Sequence, residues 1–225
     1  MLIVFEGNFG LGKSTQINNV SNWIETALDM NVVVSEWNSN PEIRSLYMHI
    51  EKNKGLRHPL LYIYFQLLDF VYRYDFEILP ALKNGSLVIC DRYYYTILAR
   101  ADVRNLNLTP LQSISSIFAS PDYIFYLDGA ADLTRSRVSV RGKMRNEVWS
   151  VGINNSLDPM AQDDTAYLDH LKRNLESYRK LMQKDDVIRL DANCPITELT
   201  ETIKMSIQKG FDEHGYKTKG IVDCI

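Results

Sequence analysis

Eight residues near the start of the chain, Gly7-Asn8-Phe9-Gly10-Leu11-Gly12-Lys13-Ser14, fit the pattern G-x-x-x-x-G-K-[ST] without a gap. Glycines at these positions let successive backbone N–H groups curl around phosphate oxygens, and a helix opening behind them adds its positive end. In such a loop Lys13 reaches the β- and γ-phosphates of a nucleoside triphosphate, and the Ser14 hydroxyl ligates Mg²⁺. The expected triphosphate-binding residues are therefore Gly7, Asn8, Phe9, Gly10, Leu11, Gly12, Lys13, Ser14 and Thr15.

A second group is Asp91-Arg92-Tyr93, directly after the apolar run Leu87–Cys90. It falls just past the C-terminal end of a strand, where α/β sheets bind ligands. A carboxylate there can orient a metal-bound water or a reacting oxygen, and an arginine can clamp a phosphate bidentately. A purely structural Asp–Arg ion pair is the competing reading. Cys90 reads as a small core residue. A third group is Arg135, Arg137, Arg141 and Arg145. A mobile arginine that closes over a triphosphate is worth about 10³–10⁵ in rate in other phosphoryl-transfer systems; a solvated basic helix face is the alternative. Seven of the thirteen tyrosines fall between Tyr62 and Tyr95. Most read as packing, and Tyr93 and Tyr95 as ligand contacts because they adjoin Asp91-Arg92.

The elements that must position these groups are legible as short apolar runs: Leu2–Phe5, Val32–Val34, Leu87–Cys90, Tyr123–Leu127 and Val187–Leu190. Continuous runs of this length suit strands buried on both faces of a parallel sheet. Between them, apolar residues recur at helical spacing at Ile17, Val20, Ile24 and Leu28, at Leu168, Leu171, Leu175, Tyr178 and Met182, and at Ile196, Leu199, Ile203 and Ile207. The alternation predicts an α/β fold, a doubly wound five-stranded parallel sheet flanked by helices. Leu60–Leu79 is apolar nearly all round and predicts a helix buried on most sides. Residues 142–164 have weak periodicity. The whole chain, 1–225, reads as one domain carrying a lid over roughly 135–164.

The stretch Phe5–Thr15 resembles the phosphate loops of thymidylate kinases and of deoxyribonucleoside kinases, which share a fold. Pro80–Ala99 is very similar to the thymidylate kinase stretch that ends in Asp-Arg-Tyr. The resemblance implies ATP as phosphoryl donor with Mg²⁺ on Ser14 and Asp91, and an acceptor phosphate held by Arg92. It implies catalytic lid arginines at Arg141 and Arg145, Arg137 packed on adenine, and Asp191, Ala192 and Asn193 bordering the adenine. Phe65-Gln66 looks like the Phe-Gln of the nucleoside kinases, whose amide reads the base edge. Arg73 is the arginine nearest the usual acceptor position, and Glu36 follows the second strand, facing the acceptor. Four features depart from the thymidylate kinase pattern: Phe9 where Asp is usual, Phe70 at the usual Arg, Arg100-Ala101 for Tyr-Gln, and Trp37-Asn38-Ser39 for Pro-Gly-Gly. The expected reaction is ATP-dependent phosphorylation of a nucleoside monophosphate, dTMP to dTDP foremost. A deoxyribonucleoside 5′-hydroxyl as acceptor, with Glu36 as base, and a non-catalytic nucleotide binder both remain open.

The totals narrow the partners. A net charge of −3 over 225 residues gives no electrostatic reason to expect nucleic acid or an anionic membrane. The longest apolar stretch falls short of the ~20 residues of a spanning helix. Three scattered cysteines exclude a disulfide framework or a zinc site and point to a reducing, cytoplasmic location. The expected partner is a small nucleotide or nucleoside, and a homodimer through the Leu60–Leu79 helix follows from the resemblance.

Overall fold

The computed structural model describes residues 1–54, 59–140, 164–183 and 186–214. In chain order the elements are β1 (Leu2–Glu6), α1 (Lys13–Ala27), β2 (Val32–Ser35), α2 (Pro41–Lys54), α3 (Pro59–Arg73), a π-helical turn (Tyr74–Ile78), α4 (Leu79–Lys83) and β3 (Leu87–Asp91). They continue with α5 (Tyr94–Val103), α6 (Thr109–Ser115), β4 (Tyr123–Asp128), α7 (Ala131–Val140), α8 (Asp164–Leu181), β5 (Val187–Asp191) and α9 (Ile196–His214). The five strands are parallel, in the order β2-β3-β1-β4-β5. This is the doubly wound sheet that the apolar runs predict.

Alternate residues of the central strands feed two cores. Leu2, Val4, Val88, Cys90, Ile124 and Tyr126 point to one face, where Tyr62, Ile63, Phe70, Ile97 and Tyr178 cover them. Ile3, Phe5, Ile89, Phe125 and Leu127 point to the other, under Ile17, Val20 and Ile24 of α1 and Leu199, Ile203 and Ile207 of α9. Both faces are covered, so these strands have no polar side to show. The chain crosses from one side of β1 to the other between β3 and β4. That switch point leaves a crevice at the carboxyl ends of the strands. Phe5 of β1 stands beside Asp91 of β3 there, which sets the phosphate loop next to Asp91-Arg92.

The Leu60–Leu79 segment differs from the expected single buried helix. A π-helical turn at Tyr74–Ile78 separates α3 from α4. Along its outer side, Tyr64, Leu68, Tyr72 and Phe76 recur every fourth residue and are exposed. Asn40 caps α2: its side-chain oxygen accepts from the Ile43 N–H at 2.8 Å, and Pro41 opens the helix. Arg141, Arg145 and most of the expected lid lie outside the described residues. No helix among the described residues is long and apolar enough to cross a membrane.

Candidate active site

The loop between β1 and α1 is shaped by backbone that side chains resist. Gly7, Gly10 and Gly12 have φ of 131°, 72° and 98°. A Cβ on Gly7 would lie 2.3 Å from the Leu127 carbonyl oxygen of β4, so only glycine fits. Lys13 is buried, and its ammonium donates to the carbonyls of Gly7 at 3.0 Å and Asn8 at 2.8 Å. The charge is thus already folded over the loop. The Asn8 side chain anchors the loop to α8, donating to Leu171 O at 3.3 Å and accepting from Asn174.

The Ser14 hydroxyl donates to Asp91 Oδ2 at 3.4 Å. Asp91 Oδ1 is buried with no partner among the described residues. Two hard oxygen donors, one of them orphaned, suit Mg²⁺, which keeps several waters and takes its other ligands from substrate phosphates.

Arg92 sits in the left-handed region at φ 70°, a conformation that arginine rarely adopts. Its Nη1 donates to Thr96 Oγ1 at 3.3 Å and to the Tyr178 hydroxyl at 3.0 Å, and its Cζ lies 4.6 Å from the centroid of the Phe9 ring. Beneath it Glu6, the last residue of β1, is fully buried. Glu6 accepts from the Tyr93 N–H and from the Thr96 hydroxyl, both at 2.8 Å. Burial pushes its carboxyl up, and the Arg92 charge pulls it back down.

Arg100, one turn after Thr96 on α5, is only 2% exposed. Its guanidinium lies 5.5 Å from Phe9, 5.6 Å from Trp37 and 5.9 Å from Tyr62, measured to the ring centroids. Its Nη1 donates to Gln66 Oε1, which also accepts from Trp37 Nε1 at 3.0 Å. Arg73 is fully buried and ties down the end of β2, donating to Ser35 Oγ at 3.0 Å and Ser35 O at 2.6 Å. On the donor side, Arg137 bridges Gly10 O at 3.3 Å and Ala192 O at 3.0 Å, joining the phosphate loop to the turn after β5. In that turn Asp191 accepts from the backbone and side chain of Asn193.

The thymidylate kinase family model matches residues 5–203. The chain belongs to the thymidylate kinase family. It is 30% identical to a probable thymidylate kinase 2 of Saccharolobus solfataricus, over 94% of this chain and 97% of that protein. It is 29% identical to a thymidylate kinase of Wigglesworthia glossinidia brevipalpis, over 92% of this chain and 95% of that one. A probable thymidylate kinase of Pyrococcus horikoshii is 31% identical over 63% of this chain and 71% of its own length. As a member of this family the chain is a nucleoside monophosphate kinase that uses ATP.

For a thymidylate kinase-family enzyme, the structure sorts the expected site residues. Ser14, Asp91 and Arg92 come together beside the loop, and Gln66 lies beside Trp37. Tyr93 and Tyr95 do not join them. Tyr93 is fully buried, edge-on to Phe70 at 4.9 Å, with its hydroxyl on Ala119 O at 3.0 Å. Tyr95 is buried against Tyr94 at 4.2 Å. Phe65 is buried edge-on to Tyr47 at 5.6 Å, and Glu36 is exposed. Sequence reasoning missed Glu6 and Arg100. The available signal was a charged residue closing an otherwise apolar strand, and another inside the apolar run Ile97–Ala101.

The family frame also meets an unusual histidine. His170 on α8 is 5% exposed, and its Nε2 has no partner among the described residues. Burial, then the charges of Arg104, Arg173 and Arg100, push its pKa down to about 3. A base with a depressed folded-state pKa favours the folded protein above its unfolded pKa, and that contribution is lost as pH falls toward the folded value. From pH 7 to 5 the loss is about 2 kcal/mol. His170→Gln should flatten stability over that range in denaturant titrations; an unchanged slope would contradict a neutral buried imidazole.

Proposed function

We propose that the enzyme transfers the γ-phosphoryl group of ATP to the 5′-phosphate of dTMP, releasing ADP and dTDP. An acceptor phosphate oxygen bonds to the γ-phosphorus while the bond to the β–γ bridging oxygen breaks, and those electrons leave with ADP. The observation that carries this reading is the 3.4 Å contact between Ser14 and Asp91, which supports a shared role for the phosphate loop and Asp91-Arg92. The names of the relatives support dTMP as acceptor. Lys13 holds the β- and γ-phosphates, and Arg92 holds the acceptor phosphate in line. Ser14 and Asp91 would hold Mg²⁺, whose charge offsets that of the phosphates. Arg137 and residues Asp191–Asn193 lie toward the adenine. The loop carries no arginine of its own between Gly7 and Gly12, so Arg141 and Arg145 are assigned to the transferring group.

The test is product detection with Mg-ATP and a panel of nucleosides and nucleoside monophosphates. New dTDP is expected. A new monophosphate made from thymidine would overturn the reading in favour of a nucleoside 5′-hydroxyl as acceptor. ATP binding with no product from any acceptor would overturn it in favour of a nucleotide-binding protein.

A homodimer through α3 belongs to the same proposal. It is supported by the exposed stripe Tyr64, Leu68, Tyr72 and Phe76, an apolar surface of the kind that marks interaction sites. Leu68→Glu should convert a dimer into a monomer by light scattering; an unchanged mass would remove α3 from the interface. We place the enzyme in the cytoplasm, a location that suits the free thiols of Cys90 and Cys194.

A further inference from the structure

Phe9 divides its backbone and its side chain between two tasks. The backbone belongs to the phosphate loop. The ring is half-buried and packs on Ala131 of α7 and on Leu171 and Leu175 of α8. One residue earlier, Asn8 ties the loop to the same helix through Leu171 O and Asn174. The ring also meets two cations: Arg92 Cζ lies 4.6 Å from its centroid and Arg100 Cζ 5.5 Å, both within cation–π reach. Arg92 therefore has two anchors of different kinds. Hydrogen bonds from Nη1 to Thr96 and Tyr178 hold one end of the guanidinium, and the Phe9 ring attracts its charge. Helix α8 backs both anchors, because Tyr178 lies on it with Leu171 and Leu175.

We propose that Phe9 is a positioning residue for the acceptor phosphate: its ring, mounted on the donor loop, holds the Arg92 guanidinium where that phosphate binds. The proposal rests on the dTMP reading, in which Arg92 holds the acceptor phosphate. An aromatic ring suits the task. Its quadrupole attracts the cation, and its carbons offer no lone pair to the N–H donors that a phosphate needs. A carboxylate, usual at this position in thymidylate kinases, would bind those donors itself. The segment Asn8-Phe9 thus serves both substrates, the donor through its backbone and the acceptor through the Phe9 ring.

The test separates the two substrates. Phe9→Leu keeps an apolar side chain on Ala131, Leu171 and Leu175 and removes the aromatic face; Phe9→Tyr keeps the face. In the leucine variant kcat/KM for dTMP should fall about tenfold, most of it through KM for dTMP, while KM for ATP stays within about twofold of wild type. The tyrosine variant should remain within about threefold of wild type for both substrates. Calorimetry adds a readout that packing alone would not move. The leucine variant should lose about tenfold in dTMP affinity and keep its affinity for thymidine, which has no phosphate for Arg92 to hold. Pentafluorophenylalanine in place of Phe9 keeps the shape of the ring and reverses the charge on its face. It should reproduce the leucine deficit and does not depend on leucine being accommodated. Unchanged dTMP kinetics in the fluorinated enzyme overturn the proposal. So does a leucine variant in which KM for ATP rises with KM for dTMP, or in which thymidine and dTMP weaken together, and so does a tyrosine variant as impaired as the leucine one. Wild-type enzyme that binds ATP and makes no dTDP overturns the dTMP reading itself, and this proposal with it.

Discussion

Lys13→Ala is expected to lower kcat for dTDP formation by at least about 10²–10³-fold while leaving dTMP affinity unchanged. The reason is the nature of phosphoryl transfer. The protein makes and breaks no covalent bond of its own, so its contribution is position and charge. Lys13 supplies both from inside the loop. Its ammonium is buried and held by two loop carbonyls, so it does not have to be gathered from solvent when a nucleotide arrives. Alanine removes that charge and leaves the Gly7 and Asn8 carbonyls without their donor. ATP affinity should therefore fall as well. The acceptor side is built from α3, α5 and the turn after β2, whereas the two carbonyls that hold the Lys13 ammonium belong to the phosphate loop. Single-turnover rates, with dTMP affinity by calorimetry, separate the two sides. Wild-type turnover would remove Lys13 from the reaction; a matching loss of dTMP affinity would mean that the loop and the acceptor side are one cooperative unit.

The donor half was legible in the sequence because its constraint is local. Gly7, Gly10 and Gly12 take φ of 131°, 72° and 98°, a demand each position makes on its own backbone, and the residues around them follow in one unbroken motif. The sheet was legible for a related reason: strands covered on both faces leave continuous apolar runs. The acceptor half depends on pairs that spacing does not reveal. Gln66 and Arg100 are 34 residues apart, and Glu6 and Thr96 are 90 apart. Tyr93 and Tyr95 looked functional through adjacency to Arg92. Adjacency does not decide side-chain direction once α5 begins at Tyr94, and both rings turn into the core. Arg73 was counted along a regular helix, and its guanidinium instead fastens the end of β2 through Ser35.

Arg92 is the residue where stability and chemistry can be pulled apart. Arg92→Lys should lower kcat/KM for dTMP by about 10²-fold with little loss of stability, because an ammonium keeps the charge and loses the planar fork that matches a phosphate. Arg92→Ala should lose the same activity and stability besides, because it removes the larger of the two positive charges, Arg92 and Lys13, that favour the buried Glu6 carboxylate. Burial already raises the Glu6 carboxyl above the usual range, and the influences that oppose it begin with Arg92. In the alanine variant the Glu6 pKa rises further. A carboxyl with a raised folded-state pKa stabilises the fold below its unfolded pKa, and that contribution is lost as pH climbs through the folded value. The alanine variant should therefore lie nearest to wild type in mildly acid solution and fall away toward neutral pH. Thermal denaturation across that range, with kinetics on both variants, tests the two roles independently. A lysine variant with wild-type kcat/KM would show that no guanidinium fork holds the acceptor phosphate. An alanine variant with the same deficit at every pH would show that Glu6 is held by Tyr93, Thr96 and Lys13 without Arg92, whose strained φ of 70° would then serve its contacts to Thr96 and Tyr178 and the acceptor.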